Sequence, residues 1–298
     1  MPMMHESVIR PTLLAVLAHP DDESFGVGGT LAYYARRGVD VYLICATRGE
    51  AGYVDEKYLQ GYRSIAERRE AELRCAAGKL GLAGVYFLDY RDSGMPGSAD
   101  NYHPQALINA PLDEVARKII GYIRRLRPQV IITFDPIGGY RHPDHIAIHQ
   151  ATVRAFELAA QPDPWLDAQG LPPYQPEKLY FHTIPRTFLR LSVRLMRLTG
   201  RDPHRFGRNG DIDLAAIAAV EFPVNAVVDY HEVAAIREEA AACHASQGGG
   251  GLTSGWLGRV FRRWMARDTF MRAYPLPENG HVERDLFEGI ADLPPLRR

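Results

Sequence analysis

Apolar positions in the first 160 residues follow two alternating rhythms. Thr12–Ala18, Val39–Ala46, Gly84–Leu88 and Gln129–Phe134 are short, nearly continuous apolar runs, the character of strands buried on both faces. Between them, apolar residues recur with a helical period over Gly28–Arg37, Tyr62–Leu80, Leu112–Leu126 and Asp144–Ala160. Gly81 closes the second of these helices and Pro128 stops the third. The alternation predicts an α/β fold with a parallel sheet covered by helices. Ligands in such sheets bind beyond the carboxyl ends of the strands, so the loops leaving those strands are where chemistry is expected.

Beyond residue 160 the rhythm loosens. Gln161–Pro176 is rich in proline and reads as a loop. Lys178–Ile184 and Ala226–Asp229 read as strands and His231–Ala245 as a helix, before the flexible run Gly248–Gly251. Neither an internal repeat nor a long low-complexity segment interrupts the chain. Residues 1–298 are taken as one domain, with a core over 1–160 and a more variable part over 161–298.

Composition narrows the class. The 298 residues carry 35 Lys+Arg against 36 Asp+Glu. That balance disfavours a nucleic-acid binder, which is usually basic. The apolar stretch Leu13–Ala18 is too short for a signal-peptide core, lacks a basic run before it, and leads directly into polar chemistry. No apolar run is long enough for a transmembrane helix. Cys45, Cys75 and Cys243 lie far apart without CxxC spacing. From this we expect buried thiols, no disulfide framework, and a cytoplasmic protein.

Two strand-end loops hold the candidate chemistry. The first runs Ala18-His19-Pro20-Asp21-Asp22-Glu23-Ser24, and the second runs from Asp135 to His145 through Tyr140, His142, Pro143 and Asp144. Together they offer His19, Asp21, Asp22, His142, Asp144 and His145. Imidazole and carboxylate without thiolate suit a catalytic divalent metal with a place left for water. A spare carboxylate beside it can act as general base. An HP dipeptide or an acidic pair alone is ordinary turn chemistry. Two HPD triplets, each after an apolar strand, say more. His149 follows His145 by one helical turn, but position 146 is Ile, so HExxH is not met and His149 reads as supporting or structural.

The segments AHPDDESFGVGGTLA and GGYRHPDHIAIH resemble the LmbE-like, or PIG-L, family of metal-dependent N-deacetylases. The resemblance covers about the first 160 residues. It implies a Rossmann-like, mostly parallel sheet flanked by helices, and removal of an N-acetyl group from an N-acetylglucosamine-type sugar or its conjugate. It makes His19, Asp22 and His145 ligands of zinc, with another divalent ion such as Fe2+ as the alternative. It makes Asp21 the general base and His142 the cation or acid that stabilises the oxyanion. Asp144 then orients a histidine, and Tyr140 stands near the reacting carbonyl. Arg69, Glu50 and His244 become substrate contacts, with Arg68 competing with Arg69 by one position. The implied partner is a small amino-sugar substrate, and homo-oligomerisation stays open.

Other signals are weaker. Gly26-Val27-Gly28-Gly29-Thr30 has Leu31 where GxGxxG needs glycine, so tight packing explains it better than a nucleotide. Thr47–Gly52 and Asp89–Met95 leave strands at the same edge, where Asp92 or Met95 could touch substrate. Arg186, Arg190, Arg194 and Arg197 stripe an amphipathic helix, a basic series continues to Arg208, and Trp256–Arg267 is a second basic segment. A packed helix with a solvated face is the plain reading of the first; an interface, a lid, or contact with an anionic group or membrane are the others. Alternatives for the whole protein are an amidase with a different acyl group or thiol conjugate, a silent carbohydrate-binding module, and a nucleotide-dependent enzyme. The intact acidic and histidine set argues against the module, and the failed glycine spacing against the nucleotide.

Overall fold

The structure is a computed structural model that describes residues 10–184, 186–206, 210, 212–249, 266–278, 280–291, 293, 294 and 296. Among these, the strands are β1 (Thr12–Leu17), β2 (Asp40–Cys45), β3 (Gly84–Phe87), β4 (Val130–Phe134), β5 (Lys178–Thr183), β6 (Ala226–Asp229) and β7 (Arg267–Tyr274). The first helices are α1 (Asp22–Phe25), α2 (Gly28–Arg36), α3 (Ile65–Leu80), α4 (Leu112–Leu126) and α5 (Gly138–Arg141). They are followed by α6 (Pro143–Leu158), α7 (Pro164–Asp167), α8 (Arg186–Leu198), α9 (Leu214–Ala219) and α10 (Ala234–Cys243).

One seven-stranded sheet runs in the order β3-β2-β1-β4-β5-β7-β6 and takes strands from both halves of the chain. Strands β1 to β5 pair in parallel, and β7 runs antiparallel between β5 and β6. β1 is buried along all six residues because it is flanked by β2 and β4 and covered on both faces. The strand order reverses between β1 and β4, with Leu13, Leu14 and Ala15 paired to Val130, Ile131 and Ile132. A crevice opens at such a switch point, at the carboxyl ends of the two strands. The two histidine-bearing loops leave those two ends.

Local chemistry sets the helix starts. Ser64 caps α3 by accepting from Glu67 N at 3.2 Å, while Glu67 accepts in return from Arg63 N at 2.7 Å. This moves the start from the expected Tyr62 to Ile65. Pro143 occupies the first position of α6, and the His142 side chain accepts from Asp144 N. Gly29 sits under Tyr230, whose ring a Cβ there would meet at 2.3 Å, so the glycine run serves close packing.

Several expectations change. β7 was not read from the sequence. Gln161–Pro176 contains the short helix α7, and His231–Ala245 divides into a 3-10 turn at His231–Val233 followed by α10. Most of the basic segment 256–267, and Arg208, lie outside the described residues. Cys75 on α3 and Cys243 at the end of α10 are disulfide-bonded across a separation of 168 residues. Cys75 is exposed and Cys243 half-buried, and only Cys45 is a buried free thiol. Spacing along the chain could not reveal this pair, because the packing of α10 on α3 brings it together. The cysteine count therefore carries no argument for a reducing compartment. Among the described residues, no helix is long and apolar enough to cross a membrane.

Candidate active site

At the switch point the two loops converge. His19 Nδ1 lies 3.2 Å from His145 Nε2 and 3.6 Å from Asp22 Oδ2, and Asp22 Oδ1 lies 3.3 Å from His145 Nε2. Tetrahedral coordination at 2.0–2.1 Å places ligand atoms about 3.3 Å apart; the two ring nitrogens stand near that spacing, and Asp22 turns a different oxygen to each of them. The other ring nitrogen of His19 turns the opposite way, 3.1 Å from Asp144 Oδ2 and 3.5 Å from Asp92 Oδ1. Asp144 Oδ2 also accepts from Ser93 N at 2.9 Å.

Charge at this point favours a cation. Burial pulls the His19 pKa down, but Asp92, Asp144 and Asp22 override it and raise it well above the usual value. A place that draws a proton so strongly is a place that suits a metal ion. The donors that approach one another also include the sets His19, His142, His145 and His19, Asp92, Asp144. His145 Nδ1 and Asp144 Oδ1 are buried without a protein partner. Phe134 stacks on the His145 ring at 3.8 Å between centroids and fixes its plane.

Asp21 occupies an unusual backbone conformation, φ 120° and ψ −28°. Its carboxyl accepts from Arg69 Nη2 at 3.0 Å. Burial pushes its pKa up to about 6, although the Arg69 guanidinium opposes this. Asp22 is driven the other way: burial raises it, but His145 and His19 together hold it well below the usual carboxylate range.

In the second loop His142 Nδ1 accepts from Asp144 N at 3.2 Å, which leaves its ring proton on Nε2. Burial, then His19 and His145, push the His142 pKa down to about 2. A neutral imidazole donating through Nε2 fits this environment. Tyr140 stands beside both histidines, 4.9 Å from His145 and 5.9 Å from His142 between ring centroids. Burial raises its hydroxyl well above the usual value, so it stays a donor. Gly138, at φ 66°, permits the turn: a Cβ there would meet His145 Cβ and Ile146 N at 2.9 Å.

The residues expected as substrate contacts all have protein partners. Arg69 is buried and donates to Pro20 O at 2.6 Å, Gly49 O at 2.9 Å and Asp21, so it clamps the first loop. Arg68 pairs with Glu72 at 2.9 Å instead. Glu50 accepts from Asp92 N at 3.2 Å and supports the loop after β3. His244 is fully buried, its Nε2 2.6 Å from Glu23 Oε1 and its Nδ1 without a partner among the described residues. His149 ties α6 to β4 through Phe134 O at 2.8 Å and lies outside the cluster. Sequence reading passed over Glu23, and left Asp92 as a bare possibility. Position after β3 is the signal that finds Asp92. A hollow of about 460 Å³ lined by Phe87, Tyr122, Trp165 and Leu171 contains none of the clustered groups.

Residues 14–156 match the family described as PIG-L: GlcNAc-PI de-N-acetylase. The chain belongs to this LmbE-like family of deacetylases, which act on amide bonds. It is similar to the 1D-myo-inositol 2-acetamido-2-deoxy-alpha-D-glucopyranoside deacetylase of Streptomyces avermitilis, 35% identical over 94% of this chain and 97% of the relative. The protein of the same description from Thermomonospora curvata is 39% identical over 79% of this chain and 80% of the relative. Among solved structures it is similar to the N,N'-diacetylchitobiose deacetylase of Pyrococcus horikoshii. That likeness has a TM-score of 0.60 at 21% identity over 90% of this chain and 87% of the other, and it bears on the fold.

Proposed function

We propose that this protein hydrolyses the N-acetyl amide of an N-acetylglucosamine conjugate, with an inositol glycoside as the first substrate to try. The approach of His19, Asp22 and His145 to one another, with pairwise distances of 3.2 to 3.6 Å, supports the reading, with Asp21 beside them in the chain. The relatives' names supply the sugar and its aglycone. A divalent ion held by those three side chains, zinc or Fe2+, would supply Lewis acidity, lowering the pKa of a water toward about 7 and polarising the carbonyl.

The chain's own residues do the rest. Asp22 sits between the two histidines with its charge held ionised. Asp144 and Asp92 face His19 Nε2, which fixes the ring and leaves Nδ1 for the ion. Asp21, raised toward neutrality, takes the proton of the attacking water. His142 donates from Nε2 to the carbonyl oxygen as negative charge builds there. Asp21 then returns the proton to the nitrogen, so the C–N bond breaks to give acetate and a free amine. Tyr140 offers a second donor on the same side. Arg69, Glu50 and His244 act as supports of these groups.

The test is acetate release from 2-acetamido-2-deoxyglucosyl inositol, free N-acetylglucosamine, N,N'-diacetylchitobiose and longer-acyl analogues, with chelated and metal-restored enzyme. Release that vanishes on chelation and returns with metal supports the proposal. Release confined to longer acyl groups would replace it with the amidase reading.

A further inference from the structure

We infer that Glu23 and His244 form a buried dyad that holds Asp21 in its working geometry; this rests on the reading of Asp21 as base. Asp21 is a non-glycine residue at φ 120°, a strained conformation that persists only where neighbours enforce it. Arg69 restrains the Asp21 carboxyl, but the backbone has its own restraint. Asp21 N donates to Glu23 Oε2 at 2.9 Å. The other oxygen of Glu23 accepts from Ser24 Oγ at 2.5 Å and lies 2.6 Å from His244 Nε2.

Glu23 and His244 are both fully buried. A carboxylate removed from water requires compensating donors, and His244 is the one that comes from outside the loop. Burial lowers the His244 pKa, and the Glu23 carboxylate overrides it, so the ring stands above its usual value. His244 follows α10 directly, so the dyad ties the late part of the chain to the first loop. Glu23 touches neither of the histidines that face the ion. Among the described residues its one hydrogen bond to a reacting group is from the Asp21 peptide, which makes it a positioning residue.

The experiment places Glu23→Gln, His244→Gln and His244→Leu in the parent and in an Asp21→Asn background. Metal content, steady-state kinetics and amide exchange over residues 19–24 are read for each. Second-layer partners of this kind are worth about 10–100-fold. Glu23→Gln and His244→Leu should lower kcat by about that factor, with KM and metal content retained, while His244→Gln recovers most of the loss because it keeps a donor. In the Asp21→Asn background Glu23→Gln should add less than about twofold, the non-additivity of groups acting through one another. Exchange over 19–24 should quicken in His244→Leu.

Parental kcat in Glu23→Gln, loss of metal in step with turnover, or the same loss in the Asp21→Asn background would each overturn the dyad. So would unchanged exchange over 19–24, which decides the matter if Glu23→Gln does not fold or the Asp21→Asn background is silent. Parental turnover in Asp21→Asn alone would instead remove the base assignment.

Discussion

The molecule contains the same tripeptide twice, and the two copies are built into different settings. In His19-Pro20-Asp21 the histidine faces the ion site and the aspartate is the candidate base. In His142-Pro143-Asp144 the histidine caps a helix and the aspartate orients His19 from behind. The difference comes from where each helix begins. α6 starts at Pro143, so His142 is its cap and Asp144 is drawn into the first turn, fully buried. α1 starts three residues after its histidine, at Asp22, so Asp21 is the residue left at the junction with a forced backbone. Residue type therefore gives the inventory, and helix phase assigns the role.

The loops also differ in what holds them. The second is secured by its own helix: proline first, cap in place. The first is held by distant elements, Arg69 on α3 and His244 after α10, and those two helices are disulfide-bonded to each other.

The widest separation between the copies should appear in Asp21→Asn and Asp144→Asn. Asp21→Asn should lower kcat by about 10²–10⁴-fold with parental metal content, the range of a lost general base. Metal analysis and turnover on one preparation check this. Next comes Cys75→Ser, expected to cost about 2–4 kcal/mol of stability, read by denaturant unfolding under non-reducing conditions. The loss should raise amide exchange around Asp21 and leave residues 142–146 unchanged. Asp144→Asn should weaken metal binding or activity by about 10–100-fold without mimicking the loss of a base, read by competition with a chelating dye. Pro143→Ala is the smallest, about 0.4–1 kcal/mol from a more flexible unfolded chain, with metal affinity unchanged. A larger effect on metal would show that the second loop is not secured locally.

Much of the fold was legible because strands buried on both faces are near-continuous apolar runs, as β1 and β4 are, while the half-buried β3 and β6 still stood out as short apolar runs. β7 escaped because charged residues interrupt its apolar positions at Arg267, Asp268 and Arg272 and its start abuts a basic segment. The residues of the site were legible from type and position at two strand ends. Their division of labour was only partly so. Motif resemblance assigned tasks to Asp21 and Asp144 and made Arg69, Glu50 and His244 substrate contacts, while the structure shows the protein partners of these last three. Each is a long or ring side chain whose polar end could face either the cleft or a buried partner. Partners such as Pro20 O, Asp92 N and Glu23 are set by tertiary packing, which spacing does not encode. The disulfide escaped for the same reason.

The central claim is that both loops hold one ion through His19 Nδ1, Asp22 and His145 Nε2, leaving His19 Nε2 to the carboxylates behind it. Anomalous diffraction from zinc-loaded crystals tests it most directly. The expected peak lies about 2.0–2.1 Å from His19 Nδ1 and His145 Nε2 and about 2.0–2.2 Å from an Asp22 oxygen. A peak on the far side of the ring, bonded to His19 Nε2, Asp92 and Asp144, would contradict it and exchange the roles of the two loops.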